Sequence, residues 1–217
     1  DIHGAGTSRI FVNGKKVLSG VSHNVIPDRI ETATYLIAGA ATRGNVTALS
    51  ANASHIKNVL QKLKSAGLKI TVKEGENGQS ITCAYAGPLK NVSVRTEPYP
   101  GFPTDVQAQW MSLMSLVPGR TVINESVFEN RFLHAAELAR MGAEIEIHGG
   151  QAVLRGVKSL SGANVMVSDL RAGAAMVIAG LAAKGRTVVH RIYHLDRGYE
   201  DLEIKCRKLG ASVKRVH

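Results

Sequence analysis

Apolar positions gather in three long runs, at 28–44, 105–119 and 169–185. Each run opens on an aspartate (Asp28, Asp105, Asp169) and closes 16, 14 and 16 residues later on a glycine (Gly44, Gly119, Gly185). An aspartate accepts hydrogen bonds from the free N–H groups of a first helical turn, and a glycine takes the left-handed conformation that ends a helix, so each run predicts an α-helix. These helices are apolar nearly all round, and 172–183 carries no charge at all. A helix without a polar face is a buried one. After each glycine comes a β-rich stretch (NVTAL, RTVIN, RTVVH), then an amphipathic run closing on a second glycine, Gly67, Gly142 or Gly210, which stand 23, 23 and 25 residues after the first. Beyond these, the alternation in LKITVK, AEIEIH and ASVKRV predicts a short strand.

The order helix, strand, helix, strand therefore occurs three times, in copies of about 28–90, 91–160 and 161–217. Three apolar helices have to hide from water together, which predicts a pseudo-threefold α/β (α+β) domain with helices central and strands outside. Leu36, Ile37, Met111, Leu113, Met176, Val177 and Ile178 are expected at its centre. Residues 1–27 have the alternating SRIFVNGKKV and no helix before it, and read as the tail of a preceding N-terminal domain and a crossover.

Composition narrows the class. With 44% apolar and 20% charged residues in 217, the chain can bury a core, and 5% aromatics speaks against an aromatic-rich binding sheet. No run approaches the roughly 18 apolar residues of a membrane span, and the first residues lack the basic-then-apolar order of a signal peptide, so a soluble, cytoplasmic chain is expected. A net charge of +10 suits an anionic partner without choosing one. Lys57, Lys62, Lys64, Lys69 and Lys73 share one polar stretch that reads as a solvated face. Cys83 and Cys206 stand outside any paired spacing, which predicts buried thiols, and His134, His190 and His194 have no metal-ligand spacing. Neither a glycine-rich nucleotide loop nor a GxSxG nucleophile motif occurs.

Parallel central helices would bring their N-termini to one end, where free N–H groups and helix dipoles favour an anion. Arg29 and Arg171 follow Asp28 and Asp169 closely, and Arg131 and Arg197 lie in the strand-to-helix turns of copies two and three. A guanidinium holds phosphate or carboxylate oxygens in pairs. Asp28 and Asp169 read as simple helix caps. Asp105 lies in YPGFPTD, where Pro100, Gly101 and Pro103 stiffen the approach and Arg131 could stand nearby, a setting for a general base. Glu129 is either a second acid or an ion-pair partner of Arg131 that holds the loop.

The peptides IPDRIET, FPTDVQAQ, VFENRF, SDLRA and IYHLDRGYE, in this order within the three repeats, closely resemble the UDP-N-acetylglucosamine 1-carboxyvinyltransferase family, the enolpyruvyl transferases that open peptidoglycan synthesis. The resemblance runs from about residue 5 to the C-terminus and covers only the C-terminal half of that family's chain. It implies that 28–217 is a C-terminal enolpyruvyl transferase domain, an inside-out α/β barrel, facing a second such domain across the active-site cleft. It also implies transfer of the enolpyruvyl group of phosphoenolpyruvate to the 3-hydroxyl of UDP-N-acetylglucosamine with release of phosphate, in the cytoplasm, serving cell-wall biogenesis, cell shape and division. By the resemblance Asp105 corresponds to the acid that deprotonates the sugar hydroxyl. Arg131, Arg171 and Arg197 correspond to arginines around phosphoenolpyruvate, and the loop at Val127 to one touching the sugar nucleotide. No metal or cofactor is implied, and no nucleic acid or membrane partner. The family's reactive cysteine, and the lysine and asparagine of the other cleft wall, belong to the missing N-terminal half, so this chain alone is expected to be inactive. Three alternatives remain: the shikimate-pathway enolpyruvyl transferase, against which FPTDVQAQ and VFENRF speak; a basic repeat module whose nucleic-acid binding would fall steeply with salt; and a purely structural or partner-binding domain.

Overall fold

The computed structural model describes residues 1–216. Its first 28 residues are exposed throughout, the only regular structure there being a two-stranded antiparallel ladder of β1 (Ile2–His3) and β2 (Phe11–Val12). At Asp28 the backbone is extended, and the carboxylate accepts from the N–H groups of Ile30 (2.7 Å) and Glu31 (3.1 Å), starting α1 (Arg29–Ala41) as the aspartate predicts. The chain returns as β3 (Asn45–Ala51), crosses through α2 (Lys57–Ser65), and closes with the hairpin of β4 (Lys69–Gly75) and β5 (Gly78–Ala84). β5 lies between the other two, in the order β3-β5-β4, all antiparallel. Its alternation buries Ile81 and Cys83 against the helices. Gly39 of α1 is what permits β3 to come so close: a Cβ there would stand 2.7 Å from Cγ2 of Val46.

Copy two has β6 (Val94–Arg95), α3 (Gln107–Met114), β7 (Arg120–Asn124), α4 (His134–Arg140), β8 (Glu144–His148) and β9 (Gln151–Arg155). The sheet runs β6-β7-β9-β8, with β6 parallel to β7 and the others antiparallel. Asp105 is no cap here. It lies inside a 3₁₀ turn, Thr104–Val106, that precedes α3, and this turn has no side-chain cap. Pro103 removes the N–H that a cap one turn earlier would need, and the Asp105 carboxylate is left to its own neighbours.

Copy three comprises β10 (Asn164–Met166), α5 (Leu170–Ala182), β11 (Val188–His190), α6 (Tyr193–Asp196) and α7 (Leu202–Lys208). β10 and β11 pair in parallel. Asp169 caps α5, accepting from the N–H groups of Arg171 and Ala172 at 2.9 Å each. The strand expected at 211–216 does not form. Alternation makes a strand only where a neighbouring strand supplies hydrogen bonds. In this segment Ala211 and Val213 instead pack on a small cluster with Leu195, Tyr199 and Leu202, while Arg215 forms ion pairs with Asp196 (2.6 Å) and Glu203 (3.1 Å).

α1, α3 and α5 touch one another in all three pairings and form the centre, with sheets and amphipathic helices outside. Leu36, Ile37, Met111, Leu113, Met176 and Ile178 are buried there as expected. Val177 is not; it is half-buried and packs on the smaller cluster beside α6 and α7. At 100° per residue the side chain of Val177 points away from those of Met176 and Ile178, and it meets α6 and α7 instead of the centre. Every residue of α3 is buried, including Gln107, Gln109 and Ser112. Both cysteines are buried free thiols. No described helix is long and apolar enough to cross a membrane.

Candidate functional site

The N-terminal halves of the three central helices meet at one phenol. The hydroxyl of Tyr199, a residue 1% exposed, lies 2.9 Å from Thr34 Oγ1 of α1, 3.5 Å from Gln109 Nε2 of α3 and 3.3 Å from Arg171 Nη1 of α5. Thr34 spends its own hydrogen on the Ile30 carbonyl (2.8 Å), so it accepts from Tyr199 and from Gln109 Nε2 (3.1 Å), leaving the phenol oxygen to accept from Arg171. Burial raises the Tyr199 pKa, partly offset by its hydrogen bond with Thr34 and the charge of Arg171. The phenol stays neutral and acts as a fixed dipole.

Above this knot stands Asp105. Its Oδ1 lies 2.7 Å from Nη2 of Arg131 and 3.6 Å from Nε of Arg171, with the three side chains 35%, 23% and 17% exposed. Two guanidiniums and one carboxylate leave a net positive charge at a partly buried surface, beside the first turns of α3 and α5. Arg131 also donates through Nη1 to Thr104 Oγ1 (2.8 Å) and lies over the ring of Phe128, 4.8 Å from its centroid. Arg171 stands over the ring of Tyr199 at 6.0 Å. Both cations are thus held by aromatic faces and hydrogen bonds in a set orientation.

Arg197 belongs to this end but not to the cluster. It is the exposed C-cap of α6, and the next residue, Gly198, packs against Leu170 at the start of α5, since a Cβ on Gly198 would stand 2.8 Å from Leu170 Cδ2. Val127 and Phe128 are exposed apolar residues on the loop after β7. Glu129 is exposed too, and no ion pair to Arg131 forms among the described residues. The acid that fastens the loop is Glu125, which the sequence did not single out. Buried to 7% exposure, it accepts from Thr96 Oγ1, Thr104 Oγ1 and the N–H groups of Val127 and Phe128. An open hollow of about 400 Å³ is lined by Glu125, Val127, Phe128, Asn130 and the Gly149–Gly150 turn.

Behind Arg131, the imidazole of His134 at the start of α4 is fully enclosed, and burial pushes its pKa down to about 4, against a smaller upward pull from Asp169 and a further downward push from Arg131. It is neutral near pH 7. A second hollow, of about 950 Å³, lies between the C-terminal ends of α1 and α5 (Thr42, Gly44, Ala183, Gly185) and α7 with the segment after it (Cys206, Val213). Neither hollow is lined by Asp105, Arg131 or Arg171; the smaller one adjoins their cluster through Phe128, whose ring lies against Arg131. Arg29, at the start of α1, stands 5.5 Å from the centroid of Tyr99, outside the Asp105 cluster. Two signals for the buried polar groups were present in the sequence, namely Thr34 and Gln109 inside otherwise apolar helices. Tyr199 lies within IYHLDRGYE without being singled out there, and nothing local marked Glu125.

Comparison with known proteins shows the family. Residues 1–205 match the family model described as EPSP synthase (3-phosphoshikimate 1-carboxyvinyltransferase). The UDP-N-acetylglucosamine 1-carboxyvinyltransferases of Endomicrobium trichonymphae and Desulfosudis oleivorans are 56% and 52% identical over 216 residues, all of this chain and 51% of theirs. The chain spans about half the length of these curated relatives. Among solved structures, the enolpyruvyl transferase NikO from Streptomyces tendae superposes with a TM-score of 0.74 at 27% identity, over 88% of this chain and 44% of that one. EPSP synthase from Acinetobacter baumannii shares the fold at a TM-score of 0.59 and 19% identity, over 77% and 40%. With a match over nearly its whole length, the chain belongs to the EPSP synthase (3-phosphoshikimate 1-carboxyvinyltransferase) family, and its relatives within it are UDP-N-acetylglucosamine 1-carboxyvinyltransferases.

Proposed function

We propose that this chain provides one wall of the active site of a UDP-N-acetylglucosamine 1-carboxyvinyltransferase, which moves the enolpyruvyl group of phosphoenolpyruvate to the sugar 3-hydroxyl and releases phosphate. The observation that carries this reading is the Asp105 carboxylate between Arg131 and Arg171 at the converging helix starts. The 3-hydroxyl oxygen attacks C2 of phosphoenolpyruvate while C3 gains a proton, and the hydroxyl proton passes to Asp105. The resulting tetrahedral ketal loses a C3 proton and its phosphate. Guanidiniums placed beforehand stabilise the charge on the departing phosphate without reorganising.

The phosphate and carboxylate of phosphoenolpyruvate compete with Asp105 for the donors of Arg131 and Arg171. Each donor that turns to the substrate frees an Asp105 lone pair to accept the sugar hydroxyl's proton. Arg197, exposed at the same end, is a third donor for these anions, and the apolar Val127–Phe128 loop, which lines the smaller hollow, is a surface for the nucleotide. Glu129 has no assigned part in this scheme.

The opposite wall and the remaining groups come from a second half of the protein, as the half-length match to the relatives suggests. Residues 1–27 form the tail of that half, and 28–217 the C-terminal unit; the exposed Phe11, Val12, Val17 and Leu18 of the tail suit packing against it. The reading places the protein in the cytoplasm at the opening of peptidoglycan synthesis. The percentages of identity favour the sugar-nucleotide acceptor over a shikimate one.

The test is product formation from UDP-N-acetylglucosamine and phosphoenolpyruvate by the full-length protein. Asp105→Ala should lower turnover by at least about a hundredfold, the usual scale for a lost general base, with an unchanged circular dichroism spectrum. Near-normal turnover would remove Asp105 from the mechanism.

A further inference from the structure

Glu125 is a nearly buried carboxylate, and its four donors are all neutral. Oε1 accepts from Thr96 Oγ1 (2.7 Å), Val127 N (2.9 Å) and Phe128 N (3.1 Å), and Oε2 from Thr104 Oγ1 (2.8 Å). Its own N–H donates to the Gly150 carbonyl (2.8 Å), fixing the backbone at the end of β7. Four acceptances use the capacity of a carboxylate. Two separate routes lead from this one group to Arg131. Along the first, the Thr104 hydroxyl gives its hydrogen to Glu125 and receives Nη1 of Arg131, whose Nη2 holds Asp105. Along the second, the Phe128 backbone is held by Oε1 while the Phe128 ring lies beneath the same guanidinium.

We propose that Glu125 is a positioning residue that couples the Val127–Phe128 loop to the Arg131–Asp105 pair, so that nucleotide on the loop and anion on the arginine favour each other's binding. The proposal rests on the enolpyruvyl-transfer reading for the identity of the two ligands. The negative charge decides the direction of the chain. It makes Thr104 a donor to Oε2, and a hydroxyl that donates to an anion is a stronger acceptor for Arg131. An amide at this position cannot satisfy both sides. With its nitrogen toward Thr104 the hydroxyl must receive instead of donate, and with its nitrogen toward the loop two backbone N–H groups face a donor.

The experiment uses the full-length protein and inorganic phosphate as the anion probe. In the wild type, phosphate should shift the backbone amide signals of Val127 and Phe128 along with the side-chain signal of Arg131. In Glu125→Gln the Arg131 signal should still shift while the two amides stay in place, and in Thr104→Val, which cuts only the hydroxyl route, the amide shifts should shrink to about half or less while the Arg131 shift persists. In steady state both variants should raise KM for UDP-N-acetylglucosamine about tenfold at saturating phosphoenolpyruvate, the scale of coupling between groups in one hydrogen-bond network, and Thr104→Ser, which restores the hydroxyl, should recover most of it. Thr104→Val leaves every bond to Oε1 in place, so it remains informative if Glu125→Gln fails to fold. Amide shifts that persist undiminished in both variants, or a KM that does not move, would overturn the proposal. Absence of transfer activity in the wild type would instead sink the enolpyruvyl-transfer reading, while the phosphate-induced shifts would still decide whether Glu125 couples loop and arginine.

Discussion

Tyr199 shows how much a single side chain can hold at this site. Its hydroxyl is the common partner of Thr34, Gln109 and Arg171, one from each central helix. Tyr199→Phe keeps the ring and removes that partner, leaving buried polar groups with fewer bonds. We expect a loss of about 1 to 3 kcal/mol in urea denaturation, together with weaker phosphate binding, because Arg171 loses the bond at its Nη1. A stability unchanged within about 0.5 kcal/mol would show that the neighbours re-pair. His134 gives a pH prediction of defined sign. Its folded pKa, about 4, lies below the unfolded value near 6.5, so its contribution is present above about pH 6.5 and is lost as the pH falls towards 4. Between pH 7 and 5 the stability should drop by roughly 2 kcal/mol from this group alone, and His134→Phe should flatten that slope. An equal slope in the variant would assign it to other groups.

At the scale of elements, the caps at Asp28 and Asp169 behave as local chemistry requires, and their helices begin where the aspartates put them. α3 begins later because Pro103 and the 3₁₀ turn intervene, and that delay is what brings the Asp105 carboxylate to Arg131. The helix-to-strand contact has its own requirement in Gly39. Gly39→Ala should destabilise by about 1 to 3 kcal/mol through overpacking against Val46, and Val46→Ala should recover part of the loss in the double variant. Additive effects of the two changes would mean that the strand shifts freely. The stretch around Cys83 reads as a strand and is β5, whereas β9 escaped the sequence pattern because it is the second arm of a hairpin whose first arm already accounts for the alternation; only pairing shows that both lie at the inside of their sheets.

For the molecule as a whole, the site on this chain is one-sided. Arg131, Arg171 and Asp105 converge, yet holding two substrates in reacting geometry accounts for about 7 to 11 kcal/mol of a barrier, and that requires an opposing wall. The 217-residue chain should therefore form no product from UDP-N-acetylglucosamine and phosphoenolpyruvate in an assay where the full-length protein turns over. Measurable turnover by the chain alone would overturn the two-wall reading. Weak phosphate binding by the chain is still expected, since the cations and helix starts that hold the anion are all present in it.

The sequence by itself determined the threefold repeat, the three central helices and the aspartates that start two of them, because periodicity and capping are properties of neighbouring residues; at the C-terminal ends the left-handed residue after α1 is Arg43 and not Gly44, and α5 ends on an extended Ala183 before Gly185. It also marked Asp105, Arg131 and Arg171 as chemistry. Tertiary structure decided what those residues touch. Glu125 and Tyr199 acquire their parts from partners 21 to 165 residues away in the chain, Thr104 and Thr34 among them, and no local pattern carries a distance of that kind. The same holds for 211–216, whose alternating residues form no strand because their ion pairs and apolar neighbours lie on α6 and α7. Local sequence sets what each segment can be, and burial and pairing with distant segments set which of those possibilities it takes.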